Sequence, residues 1–216
     1  MKRILLTGFD PFAGEQNNPS WEVVRKLEGL LIGDQHQIVS VLLPCEFHRS
    51  LQTLEAALKK HRPAVVLALG QAGGRAEISI ERIAINVDDA RFPDNAGAQP
   101  IDVPVFSDGP AAYFSRLPVK AIVHDLQQNG IPAAVSQTAG TYVCNHVFYG
   151  LMHMAEKMDY VQAAGFIHIP YLPEQAIAHP GAASMPLDMM KTALVHVLET
   201  ILKTRKDMVI AGGATH

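Results

Sequence analysis

Three side chains in this sequence have the chemistry of a nucleophile, a base and an orienting acid: Cys144, His168 and Glu81. A thiol attacks as its thiolate, an imidazole takes the thiol's proton near neutral pH, and a carboxylate holds that imidazole in one tautomer. Cys144 closes the run Ser136-Gln137-Thr138-Ala139-Gly140-Thr141-Tyr142-Val143-Cys144-Asn145, which reads as a strand, a glycine-containing loop and a helix start. Unpaired N–H groups and the positive end of the helix dipole favour a thiolate there, and the same groups can receive an oxyanion. Cys144 also continues the apolar stripe of Val147, Phe148 and Leu151, so plain core burial fits the spacing too.

His168 ends the apolar run Phe166-Ile167-His168-Ile169-Pro170, where it reads either as a base or as a satisfied core histidine. His146 is closer to Cys144 in sequence but is a poorer partner, because side chains two apart on a helix point in different directions. Glu81 lies in Ile78-Ser79-Ile80-Glu81-Arg82-Ile83-Ala84-Ile85-Asn86. As one continuous strand this puts Glu81 on a face with Ile83 and Ile85. A carboxylate on an apolar face needs a partner, and an imidazolium would satisfy it. The competing readings are an exposed edge charge, or a local pair with Arg82 worth about 0–1 kcal/mol.

The elements that must position these residues alternate between short β-branched runs and longer amphipathic segments. Strands are expected at 3–7, 37–43, 64–69, 132–136 and 165–169. Helices are expected at 18–30, 47–61, 121–129, 144–157 and 186–203. The run 64–69 is almost wholly apolar, as in a strand buried on both faces. Residues 70–75 read as a loop, 77–87 as extended, 88–110 as a long ordered excursion, and 212–216 as a frayed tail. This alternation predicts an α/β fold, a three-layer α/β/α sandwich around a mostly parallel twisted sheet, with some antiparallel structure near 77–87. Ligands in such sheets bind beyond the carboxyl ends of the strands.

The 216 residues are read as a single domain, 1–216, without repeat or linker. A formal net charge of −3 and the lack of any Lys/Arg cluster argue against nucleic acid or membrane as partner. Met1-Lys2-Arg3 before Ile4-Leu5-Leu6 has the charge order of a secretory leader, but the apolar run stops at Thr7-Gly8, so a first strand is expected. With two cysteines, Cys45 and Cys144, the expectation is free thiols in a reducing, cytoplasmic compartment.

Several windows together resemble the type I pyroglutamyl peptidases, or pyrrolidone-carboxylate peptidases. They are Leu6-Thr7-Gly8-Phe9-Asp10-Pro11-Phe12 with Asn18-Pro19-Ser20, Gly70-Gln71-Ala72-Gly73 through Asn86-Val87-Asp88-Asp89-Ala90-Arg91, and the windows around Cys144 and His168. The resemblance runs from the N-terminus to about Pro173. It implies a phosphorylase/hydrolase-like fold and a cysteine peptidase with Cys144 as nucleophile, His168 as base and later acid, and Glu81 orienting His168. It also implies no cofactor or metal, substrates that are N-terminally pyroglutamylated peptides, and a homotetramer. Phe9 and Phe12 would wall an apolar lactam pocket, Gln71 would read the ring amide, and Arg91 would stabilise oxyanion charge. For each of these the bland reading is core packing, an idle loop polar group, or, for Arg91, pairing with Asp88, Asp89 or Asp94.

One departure is Ala13-Gly14 where the family usually has Gly-Gly, which strains the loop if residue 13 needs a positive φ. Cys45 fits either a pocket lining or simple burial. The rival readings are a nucleoside phosphorylase-like enzyme, with residues 70–75 as a faint phosphate site, and a catalytically silent binding protein on the same fold.

Overall fold

A computed structural model describes residues 1–214; Thr215 and His216, the end of the expected tail, lie outside the described residues. The parallel part of the sheet is built from β1 (Lys2–Phe9), β3 (His36–Leu43), β4 (Val65–Gln71) and β9 (Ala163–Ile169). Two strands, β5 (Ile78–Glu81) and β8 (Ala133–Ser136), run parallel to each other but opposite to β9. A two-residue strand β2 (Leu31–Ile32) adds antiparallel to β3, giving the order β2-β3-β1-β4-β9-β5-β8. Two residues carry no readable period, which is why β2 is invisible in the sequence.

Helices cover both faces. Ile4, Leu6, Leu67, Leu69, Ile80 and Ile167 pack on one side, against α1 (Pro19–Arg25), α3 (Val119–Gln128) and α6 (Leu187–Lys203). On the other side Leu5, Val66, Ala68 and Phe166 meet α2 (Arg49–His61) and α4 (Val143–Ala155). The expected mostly parallel sandwich is present. Each strand alternates between the two layers, so the side chains that share a layer with Cys144 follow from register alone.

Four boundaries differ from expectation. The helix expected from Asn18 is capped by that residue, with Asn18 Oδ1 accepting the Ser20 N–H at 3.1 Å, but it ends at Arg25 in tight turns up to Gly29, φ 75°. Gly70 and Gln71 belong to β4 rather than to a loop. The extended segment 77–87 breaks at Arg82: β5 stays in the main sheet, while β6 (Ile83–Ile85) pairs with β7 (Ala112–Phe114) in a separate ribbon. Glu81 therefore shares no face with Ile83 and Ile85. The residues before the end are also pinned, because Asp207 accepts the N–H groups of Lys120 and Ala121 at the start of α3, and Arg82 Nη2 donates to Gly212 O at 3.0 Å.

The excursion 88–110 is irregular yet ordered. Asp94 accepts the backbone N–H groups of Phe47, Ala96 and Ala98, Asp88 pairs with Val103 through the backbone, and Asn86 bonds Phe106 and Gly109. Its Asp and Asn side chains replace the ladder that a strand would supply.

Candidate active site

Register brings the acid and the imidazole together. Ser79 stands opposite His168 across β5 and β9, so Glu81, two residues on and on the same face, is its diagonal neighbour. His168 Nδ1 lies 2.8 Å from Glu81 Oε1, with both side chains closed off from solvent. The Nδ1 hydrogen is donated to the carboxylate, which leaves Nε2 as the nitrogen available for proton transfer.

On the other flank of β9, Gly70 pairs with His168. The absent side chain of Gly70 makes room for the thiol: a Cβ built there would lie 2.8 Å from Cys144 Sγ and 2.9 Å from Phe166 Cζ. Cys144 is in the first turn of α4, whose cap residue Tyr142 places no side chain on the leading N–H groups. Gly70 thus touches the space of the thiol and is the β4 partner of His168. Gly70→Ala is expected to lower kcat/KM by about 100-fold, because a displacement of about 1 Å is enough for that. Overpacking against the Phe166 ring, itself wedged by Phe9 and Phe148, is expected to lower unfolding stability by about 1–3 kcal/mol. Urea denaturation and steady-state kinetics on the purified variant check both.

The electrostatics differ from the helix-start expectation. Cys144 is a free, partly exposed thiol. Burial pushes it up to about 12, the Glu81 carboxylate adds to that rise, and the Arg75 guanidinium opposes it. The helix start alone does not deliver a standing thiolate. Cys45 is buried at 4% exposure, and burial first, then the nearby Cys144 thiol, pushes it up as well.

The expected pocket residues divide. Phe9 is closed into the core with its ring 6.4 Å from Phe166, while Phe12 is half-buried against Tyr142 at 6.3 Å. Gln71 ends β4, and its Oε1 accepts from Gln175 Nε2 at 3.0 Å. The Gln175 oxygen in turn takes the Leu172 N–H, so Gln175 can only donate to Gln71 and the Gln71 NH₂ is left over. Arg91 is exposed and forms no ion pair with Asp88, Asp89, Asp94 or any other acid among the described residues; Asp94 and Asp88 are committed to backbone N–H groups and to His146. Ala13 adopts φ 52°, the left-handed region in which alanine is strained, followed by Gly14 at φ 81°.

A family model described as "Pyroglutamyl peptidase" matches residues 2–204. The chain belongs to the pyroglutamyl peptidase family. A "Pyrrolidone-carboxylate peptidase" of Escherichia fergusonii is 57% identical over 216 residues, covering all of both chains, and one of Yersinia pestis is 55% identical over the same span. Among solved structures, the pyroglutamyl peptidase I from Bacillus amyloliquefaciens superposes with a TM-score of 0.93 at 48% identity, covering 97% of this chain and 99% of that one. A mutant pyrrolidone carboxyl peptidase from the hyperthermophile Pyrococcus furiosus gives 0.90 at 41% identity, covering 93% and 98%.

Two further features of this pyroglutamyl peptidase family member were not anticipated. Arg75 Nη1 lies 2.8 Å from Glu81 Oε1, so the arginine paired with this acid is Arg75 and not the adjacent Arg82 of the competing reading. No local signal marks it, since β5 ends at Glu81 and the Arg75 side chain reaches it from the loop before that strand. The same Arg75 contacts remove the phosphate-site reading of residues 70–75, because the guanidinium is already bound to protein acceptors. The second is His146, fully buried, whose Nε2 accepts the His48 N–H at 3.0 Å and whose Nδ1 donates to Asp88 Oδ2 at 2.7 Å. It has no ring nitrogen left for Cys144.

Proposed function

We propose that this chain is a cysteine peptidase that hydrolyses the amide bond after an N-terminal pyroglutamyl residue, with Cys144 as nucleophile, His168 as base and then acid, and Glu81 orienting His168. The observation that carries the residue roles is the buried Glu81–His168 hydrogen bond beside the Gly70 gap that holds Cys144 Sγ. Full-length identity with pyrrolidone-carboxylate peptidases supplies the substrate class.

The reaction is acyl transfer. Sγ gives its proton to His168 Nε2 and bonds to the pyroglutamyl carbonyl carbon, whose oxygen takes the electron pair. The uncapped N–H groups at the start of α4 face that oxyanion. Collapse of the intermediate breaks the C–N bond as His168 passes the proton to the amine nitrogen. Water then attacks the thioester, losing its proton to His168, and the C–S bond breaks with the proton returned to sulfur. Glu81 stabilises the imidazolium through each transfer without being protonated itself.

For the lactam, the free Gln71 NH₂ suits the ring carbonyl, with Phe12 as an apolar wall and Phe9 as part of the floor beneath. Arg91, exposed at the start of the excursion, is the cation available to developing oxyanion charge. Cleavage is restricted to the first residue if the pocket closes behind the ring.

Both cysteines are free thiols, and no helix among the described residues is long and apolar enough to cross a membrane, which supports a cytoplasmic site of action. The fold acts as one unit, since both apolar layers share one sheet, and exposed Ile101 and Phe114 suit burial between copies in a homotetramer. The function is tested by release of a fluorophore from a pyroglutamyl amide, with and without prior alkylation. Hydrolysis abolished by alkylation is the expected result; no hydrolysis by folded, reduced protein overturns the assignment.

A further inference from the structure

We propose that Arg75 is the positioning residue of this triad: its guanidinium aims the Glu81 carboxylate at His168 and ties that acid to the loop that delivers Cys144. The inference rests on the proposed peptidase reading for its catalytic meaning, while its geometry stands independently of it.

Glu81 is wholly buried, and its Oε1 accepts from two donors only, His168 Nδ1 and Arg75 Nη1, each at 2.8 Å. Its second oxygen, Oε2, is buried without any partner among the described residues. A buried carboxylate without a paired cation leaves its desolvation cost unanswered, and its Oε1 would lose the second donor that fixes it towards His168. Arg75 supplies the missing charge from a side chain that is 32% exposed, so one side of the guanidinium stays solvated while the other reaches in.

The remaining contacts show why a guanidinium is used. Nη1 also lies 3.3 Å from Ser136 Oγ, and Nη2 donates to Thr138 O at 3.1 Å. Ser136 ends β8 and Thr138 lies in the loop that leads into α4. One planar fork therefore joins the acid of β5 to the approach of the helix that carries the thiol. A lysine would match the charge but not the three acceptors. Arg82 is no substitute, because its guanidinium bonds Gly212 O.

Charge on the thiol gives a readout that scaffolding alone would not move. The charged groups acting on Cys144 are Glu81 from β5, which raises it, and Arg75 from the preceding loop, which lowers it; His168 of β9 stands across Gly70. Arg75→Met and Arg75→Lys would be compared with the unaltered protein by steady-state hydrolysis of a pyroglutamyl amide. Iodoacetamide labelling of the Cys144 peptide would be followed against pH by mass spectrometry.

Arg75→Met is expected to lower kcat by about 10–100-fold with KM within about two-fold, and to move both the labelling curve and the acid limb of kcat/KM to higher pH. Arg75→Lys is expected to bring the pH curves back towards those of the unaltered protein while kcat stays about ten-fold low. Unchanged kcat and an unshifted curve in folded Arg75→Met overturn the proposal, as does a drop in Tm with both unchanged. If circular dichroism shows Arg75→Met unfolded, Arg75→Lys decides: a low kcat with an unshifted curve supports the role and normal kcat refutes it. Should the unaltered protein fail to hydrolyse the amide, the peptidase reading falls while the labelling curves still decide for or against Arg75.

Discussion

Replacing Cys144 by serine is expected to lower kcat/KM for a pyroglutamyl amide by about 10⁴-fold or more, as loss of a covalent nucleophile does elsewhere. The exchange is close to isosteric, so the Gly70 gap and the Phe166 ring keep their packing. What changes is the attacking atom. A hydroxyl is a far weaker nucleophile at neutral pH than a thiol, and on the proposed mechanism His168 draws its proton from sulfur. The folded state should survive, with loss of about 1–2 kcal/mol at most from placing a hydroxyl in a largely apolar layer. Turnover at the original rate by the serine variant would remove Cys144 from the mechanism. A matched circular dichroism melt separates that outcome from misfolding.

Glu81→Gln is the second large effect, and its geometry is unusually clean. Oε1 takes both hydrogen bonds and Oε2 takes none, so an amide fits with its oxygen towards His168 and Arg75 and its NH₂ at the idle position. The tautomer of His168 is then preserved, and only the negative charge opposite the forming imidazolium is lost. A drop in kcat of about 10³-fold is expected, short of the ~10⁴-fold that accompanies loss of the tautomer as well. The thiol responds separately. Because the Glu81 charge helps to raise Cys144, neutralising it should move iodoacetamide labelling to lower pH even as hydrolysis falls. Full activity in this variant, or labelling displaced to higher pH, would refute the assigned role.

Much of this arrangement is legible in the chain. The buried run around Val66 and the Asn18-Pro19-Ser20 start gave β4 and α1, and the glycine-containing loop before Cys144 gave the first turn of α4, because each rests on local preference. What escaped depends on register or on distant partners. The break at Arg82 has no local signal: Ile83 continues the alternation, yet it pairs with Phe114 in another sheet. The Arg75–Glu81 pair was hidden behind the adjacent Arg82, and the hold of Gln175 on Gln71 spans more than a hundred residues. Burial of the thiol was the other surprise. A helix start promises a low thiol pKa, but the layer that packs α4 on the sheet withdraws water from the sulfur, and that loss dominates.

The sheet order carries a consequence for how activity is born. β9 is the last strand in sequence, yet it lies between β4 and β5, so the two halves of the sheet have no common edge until it is inserted. His168 arrives on that strand, and its hydrogen bond to Glu81 closes a loop of 87 residues. An emerging chain can therefore fold its early strands and helices while remaining inert, and cleavage begins only when the final strand zips the halves together.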